Sequence, residues 1–508
     1  MRFLLKASLE LSGKVKDGEA VKRLLKEAES TLQKGVPKGE KGAEIKEVAI
    51  GDDRIELTLE SGRHVRPHDG ILRIKKRLSE GLGREQGIGV RRVEVKSYEV
   101  WYPMEKAPIG EISLPFVKTA SFKDGTAYLE FEKLDEAALE NKYVDRVLKR
   151  LEEKVREEGI GGKEGFSRVF QKSEDRLGRY SFREDPTGEL LKRSWVKHVG
   201  RGVWTILPSY AALWRAIENL VMDRVAKQLG FVEVMLPKII PLEVQKKKGQ
   251  LFGIPNEIWW VCPPATRDPK EWERFKDLVK VTGETNAEGL MENLSPPEFA
   301  LAYAQCEPFY DIWEKRTVDR DKLPLKFVDI YGPTWRYESG GLKGLERLSE
   351  FKRMEFVWIG SPEDVVSIRD SVRDRSVEII NEVFDVEWRV DATTAVYLEH
   401  AGEKVIGEDR DYVRTYDLSV SLPFETASRP ERELEIASFH VHEDHYARNF
   451  YWKEKKERTL WSGCAGISPT RWAYVFLLRH GFDYDAWPKE IKTYIGQSLP
   501  TLPDGLFM

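Results

Sequence analysis

The segment G-P-T-W-R-Y-E-S-G-G-L-K-G-L-E-R-L-S-E-F-K-R-M-E-F (332–356) is where residue types and spacing come closest to chemistry. Arg336 and Glu338 are one residue apart, so in an extended strand they share a face. A glycine-rich loop follows, and the chain returns through Arg347, Phe351 and Glu355. An antiparallel pair built this way can hold a nucleotide. Arg336 would take a phosphate by a forked, charge-assisted contact. Phe351 would stack beneath a purine ring, and Arg347, at the loop end, would clamp the outer phosphates. The plain alternative is a hairpin with surface ion pairs, but Arg-x-Glu, loop, Arg-x-x-x-Phe is a demanding pattern for that.

A second stretch, W-S-G-C-A-G-I-S-P-T-R-W (461–472), sets Cys464 between glycines and reads as a turn leading into a helix. Arg471 falls in that helix's first turn, where a cation opposes the helix dipole at a cost of about 0.3–1 kcal/mol. A cation kept there suggests a partner such as a triphosphate, although a structural carboxylate would serve equally. The chain has three cysteines, Cys262, Cys306 and Cys464, too few and too odd a number for a disulfide framework. Taken singly, a cysteine of this kind is commonly buried filler. The segment S-F-H-V-H (438–442) reads as a strand with His440 and His442 on one face and His445 close behind. These histidines are a rival metal site without a third ligand at sharp spacing.

Longer elements must position these residues. The stretch 209–230 is the clearest helix, with Leu213, Ile217, Leu220, Val221, Val225 and Leu229 on one stripe. Ser209 is the expected cap, and Gly230 the expected left-handed stop. A strand over 231–236 follows and is closed by Pro237. Residues 268–304 read as two or three short helices. Residues 395–407 read as a glycine-flanked loop.

The first 160 residues have a different texture. They alternate a helix over 20–32, a hairpin over 48–60, a strand over 127–132 and a charged helix over 136–157. Residues 63–92 carry nine Lys/Arg against three acids, which suits a surface that tracks phosphates. A solvated charged face is the alternative. The expected division is a domain over 1–160, a linker over 161–195 and a domain over 196–508 with a helical insertion near 268–304.

Across all 508 residues the net charge is only −4, which excludes a generally basic nucleic-acid binder. Charged residues make up 33%, while Met and Cys are scarce, as in proteins of hot environments. No apolar run approaches the roughly 18 residues of a membrane span, so a soluble cytoplasmic protein is expected.

Taken together, the helix–strand–Pro237 unit, the Arg336–Glu338–Arg347–Phe351 pattern and the Arg471 helix resemble the three signature motifs of class II aminoacyl-tRNA synthetases. The third departs from the family's glycine-richer form. The resemblance implies an α+β fold, an antiparallel sheet flanked by helices, with a separate mixed α/β N-terminal domain that binds tRNA. It also implies a homodimer, ATP bound with Mg2+, and amino-acid activation followed by transfer to tRNA. The placement of Cys306, Glu355 and Cys464 resembles the zinc site of the methanogen-type seryl-tRNA synthetases, which implies that Zn2+ binds the amino group of L-serine and that the acceptor is tRNA(Ser). Within that reading Ser438 is expected to line the serine pocket. A ligase that charges a carrier protein, and a non-catalytic RNA-binding relative, are the competing readings.

Overall fold

The computed structural model describes residues 1–108, 112–158, 167–338, 341–393, 412–425 and 432–503. The chain divides into two compact units, Met1–Glu164 and Gly165–Met508.

The first unit is a six-stranded antiparallel sheet with helices packed on it. In chain order it holds β1 (Arg2–Leu11), α1 (Gly18–Leu32), β2 (Glu44–Ile50), β3 (Arg54–Ser61) and α2 (Pro67–Gln86). It continues with β4 (Val90–Pro103), β5 (Val117–Lys123), β6 (Thr126–Phe131), α3 (Glu136–Glu140) and α4 (Tyr143–Glu158). The strand order is β2-β3-β1-β4-β6-β5. Alternation on β1 sends Phe3, Leu5, Ala7 and Leu9 into a core shared with Val21 and Leu24 of α1 and Ile71, Ile74 and Leu78 of α2. Asp17 caps α1 by accepting from the backbone N–H groups of Glu19 and Ala20. The helix expected over 136–157 is two helices, because Lys142 takes a left-handed conformation (φ 55°) between them.

The second unit is built on an eight-stranded sheet. Its elements are β7 (Ser167–Lys172), α5 (Pro208–Val221), β8 (Val232–Glu233), α6 (Leu242–Lys248), α7 (Glu273–Thr282) and α8 (Ala287–Met291). Next come β9 (Leu325–Asp329), β10 (Pro333–Trp335), β11 (Glu350–Lys352), β12 (Met354–Gly360) and α9 (Pro362–Ile379). The last are β13 (Trp388–Thr393), β14 (Thr415–Ser421), β15 (Glu433–Glu443), β16 (Trp461–Ile467) and α10 (Pro469–His480). The large sheet runs β8-β9-β12-β16-β15-β14-β13-β7, antiparallel except for the short β8·β9 pair. Helices α5, α9 and α10 share one apolar core with the sheet, around Trp358, Phe356, Trp472 and Phe476.

Several local expectations change. Residues 161–195 do not act only as a linker, since 167–172 form the edge strand β7, paired with β13. Ser209 does not cap α5; Pro208 opens that helix and the Ser209 hydroxyl donates instead to the Pro500 carbonyl at 2.7 Å. The glycine-bounded stretch around Cys464 is a central strand rather than a turn. Glycine is required there by crowding, because a Cβ at 463 would lie 2.5 Å from the Trp358 ring. The turn is confined to Ser468, whose hydroxyl caps α10 at the Arg471 N–H. The helix expected over 209–230 ends earlier: α5 gives way to a π-helical turn over Met222–Ala226, and Gly230 (φ 71°) turns the chain beyond it.

Candidate active site

The sheet register builds the site. Glu355 on β12 stands opposite Gly466 on β16, and Val357 stands opposite Cys464. Glu355 and Val357 are two residues apart, so Glu355 and Cys464 rise from the same face. Cys306 reaches them from the start of the short helix Glu307–Ile312. The ligating atoms of Cys306, Glu355 and Cys464 all lie within 4.8 Å of one another, and all three residues are buried. Arg353 Nε is 2.9 Å from Glu355 Oε2. Yet neither carboxylate oxygen accepts an aligned hydrogen bond among the described residues. Arg353 offsets the carboxylate charge without an aligned N–H, so both oxygens still have room for a cation at the thiols. Two thiols and a carboxylate fit a tetrahedral zinc with one position open to a substrate.

The electrostatics follow from burial. Burial pushes the Glu355 carboxyl up to about 8, against the pull of Arg353. The Cys306 thiol is held well below its usual range by the Cys464 hydrogen bond and by Lys248, while burial pushes Cys464 up. A divalent cation would reverse the penalty on all three anions.

The donors sit in a cavity of about 510 Å3 that Arg336, Glu338, Arg347 and Ser438 also line. Arg336 lies just past β10, where its N–H continues the pairing to Ser349 O at 3.0 Å. Its guanidinium carbon is 4.4 Å from the Tyr303 ring centre and 5.7 Å from that of Phe351. The Tyr303 hydroxyl donates to Glu257 at 2.7 Å, which fixes the ring. Arg336 Nε is buried with no hydrogen-bond partner among the described residues, so a donor remains for an anionic ligand. Arg347 Nη2 meets Glu338 Oε2 at 2.5 Å across the loop. A single row crosses the sheet from Asp329 through Glu355, Gly466, Ser438 and Asp417 to Asp391. Burial and nearby Glu435 push the Asp417 carboxyl well up.

Comparison with known proteins gives this geometry a family. Residues 1–153 match a model described as a tRNA-binding domain, and residues 291–477 match the tRNA synthetase class II core domain (G, H, P, S and T). A type-2 serine–tRNA ligase of Methanococcoides burtonii is 37% identical over 94% of this chain and 94% of its own length. That of Methanopyrus kandleri is 36% identical over 99% of this chain and 98% of its own. The chain belongs to the type-2 serine–tRNA ligases. Among solved structures, a complex of A. aeolicus tRNASec with M. kandleri SerRS matches with a TM-score of 0.88 at 36% identity, covering 100% of this chain and 99% of that one.

As a type-2 serine–tRNA ligase the chain has a class II synthetase core, and the α+β architecture expected from the sequence holds. The structure gathers Cys306, Glu355, Cys464, Arg336, Glu338, Arg347 and Ser438 around one cavity. Phe351 and Arg471 are outside its lining. Phe351 faces a neighbouring hollow with Trp204 and Ile206, and Arg471 Nη1 donates to the Glu435 carbonyl at 2.7 Å. Among the described residues the rival histidine cluster does not assemble as a metal group. His442 instead sets Nε2 3.3 Å from Cys464 Sγ, and His440 Nε2 lies 3.1 Å from the Ser438 hydroxyl. Cys262 is a partly buried free thiol. The loop expected over 395–407 lies outside the described residues. In the insertion near 268–304, helices α7 and α8 bury no side chain. Sequence reasoning missed Lys248, Arg353, Glu257, Tyr303 and Asp417, which all line the cavity. None of them stands in a spacing that signals chemistry.

No helix is long and apolar enough to cross a membrane among the described residues.

Proposed function

We propose that this chain activates L-serine with ATP and transfers the seryl group to tRNA(Ser), using a zinc ion held by Cys306, Glu355 and Cys464. The observation that carries this reading is the convergence of those three buried donors, with orphaned Glu355 oxygens, in the cavity that Arg336 lines. The named relatives and the tRNA-binding domain match over 1–153 support tRNA as the acceptor. Two chains are expected to pair through the helix–strand–Pro237 region.

Zinc, when bound, supplies a coordination position for a free amine, which selects an α-amino acid with its nitrogen deprotonated. Arg336 then steadies the serine carboxylate and the ATP α-phosphate. A carboxylate oxygen attacks the α-phosphorus in line, and pyrophosphate leaves. Arg336 offsets the charge that develops on the phosphoryl oxygens, together with the Mg2+ that accompanies ATP. Glu338 and Arg347 hold the loop between β10 and β11 over the nucleotide, and Arg347 turns from Glu338 to the outer phosphates. Phe351 and Arg471 lie outside the cavity lining, and the resemblance to class II synthetases is what assigns them to the purine and the phosphates. Transfer follows when a hydroxyl of the terminal tRNA ribose attacks the seryl carbonyl and AMP departs. Ser438 lines the side of the pocket toward Asp417.

Pyrophosphate exchange with each of the twenty amino acids, with and without a zinc chelator, tests the reading. Serine-dependent exchange that the chelator abolishes is expected. Exchange that follows another amino acid, or that ignores the chelator, would overturn it.

A further inference from the structure

The run Lys246-Lys247-Lys248 at the end of α6 reads in sequence as a solvated charge cluster. Its members have three different fates. Lys246 is 58% exposed, Lys247 pairs with Glu314 at 2.6 Å, and the side chain of Lys248 is only 5% exposed. Gly249 ends the helix in the left-handed region (φ 92°). Lys248 Nζ lies 3.0 Å from Cys306 Sγ, 4.0 Å from Glu307 Oε1 and 6.0 Å from the centre of the Tyr446 ring. Glu307 is itself pinned by the Gln245 amide at 3.1 Å and the Ala304 N–H at 3.2 Å. A buried ammonium survives only where it is paired, and this one is paired with a sulfur of the metal-binding set.

Arg353 performs the matching contact on the other side, 2.9 Å from Glu355. Three anionic donors around a divalent ion leave one net negative charge. The two buried cations, Lys248 on the thiolate side and Arg353 on the carboxylate side, face that charge.

We infer that Lys248 is a positioning residue for the metal centre: anchored by Glu307, its ammonium stays on the Cys306 sulfur when the metal is bound and tempers that thiolate. The inference rests on the zinc reading above, with Cys306 as a ligand. Second-sphere partners of this kind set ligand orientation and electron donation.

Cobalt substitution of the full chain tests it, because a thiolate-to-Co2+ charge-transfer band reports on the sulfur itself. A donor on the sulfur lowers its lone-pair energy and holds the band at shorter wavelength. Lys248→Met is expected to move the band to longer wavelength. Lys248→Arg is expected to keep the wild-type band. Lys248→Gln, which keeps a neutral donor on a side chain one atom shorter, is expected to fall between and serves if the methionine variant does not fold. A wild-type band position in both the Met and Gln variants would overturn the inference while leaving the metal site intact. A wild-type protein without any band that Cys306→Ala or Cys464→Ala removes would instead sink the metal reading, and this inference with it.

Discussion

Gly466 stands directly across the sheet from Glu355, and the guanidinium of Arg353 fills the space a side chain at 466 would need. A Cβ there would lie 2.0 Å from Arg353 Nε and Nη2. Gly466→Ala is therefore expected to push Arg353 off Glu355. Breaking a buried pair in this way costs about 3–5 kcal/mol, because the remaining charge loses its partner. Thermal unfolding should show a lowered midpoint, and serine-dependent pyrophosphate exchange should fall with it. An alanine variant with unchanged stability and exchange would show that Arg353 has room elsewhere.

Cys306→Ala and Cys464→Ala should each abolish bound zinc and serine activation together, since two remaining donors do not make a zinc site. Metal content after dialysis and pyrophosphate exchange are the paired measurements. Cys262→Ala should leave both unchanged, because that thiol belongs to no group of potential ligands among the described residues. Full exchange by a metal-free Cys464 variant would remove the metal from the mechanism.

The way these residues come together explains what the sequence could and could not disclose. Arg336, Glu338 and Arg347 were legible because a local hairpin fixes their geometry, so spacing alone constrains them. Cys306, Glu355 and Cys464 are far apart in the chain and meet only through the β12·β16 register and the approach of a separate helix. Spacing says nothing about that, and only the family resemblance pointed to it. Lys248 was hidden because a triple lysine reads as solvated, and its burial depends on its approach to Cys306 and Glu307. The glycines at 463 and 466 suggested a turn because their cause, the neighbouring bulk of Trp358 and Arg353, lies on another part of the chain. The edge strand β7 escaped notice because both its faces are exposed, which leaves no alternation in burial.

Arg336 stacks on Tyr303 while its buried Nε has no partner among the described residues, so one donor of its guanidinium is available. Arg336→Lys keeps the charge but loses the planar fork and the stacking. A loss of about 100-fold or more in kcat/KM for ATP is expected, the usual scale for removing one aimed donor. Steady-state exchange kinetics check it, with Tyr303→Leu expected to produce a smaller loss in the same direction. Equal kcat/KM in Arg336→Lys would place the phosphate elsewhere.

His480 at the end of α10 gives a pH signature. Burial and neighbouring Arg479 depress its imidazole to about 4 from an ordinary 6.5, although a helix C-terminus by itself favours a cation. The unfolded chain therefore binds a proton that the native state does not between pH 6.5 and 4. Stability is full above that window and falls as pH drops through it, by on the order of 3 kcal/mol in total. Denaturant unfolding at a series of pH values should show this slope, and His480→Gln should flatten it by about one proton. An unchanged slope in the variant would assign the pH dependence to other groups.

The basic stretch of the first unit separates into paired and unpaired cations. Arg66 pairs with Asp145 at 3.0 Å, Arg77 with Glu27 at 2.7 Å and Arg92 with Glu10 at 2.8 Å. Lys76, Arg84 and Arg91 are exposed and have no carboxylate partner among the described residues. Cations already neutralised within the fold have less to offer a phosphate backbone than free ones. Replacing Lys76, Arg84 and Arg91 with alanine should weaken tRNA binding and lower the salt dependence of log K by about 1 for each phosphate no longer neutralised. Serine activation should be untouched, because the reaction with ATP needs none of them. Filter binding across a salt series, run beside pyrophosphate exchange, separates the two steps. Unaltered tRNA affinity and salt slope in the triple variant would mean that this face is only solvated charge.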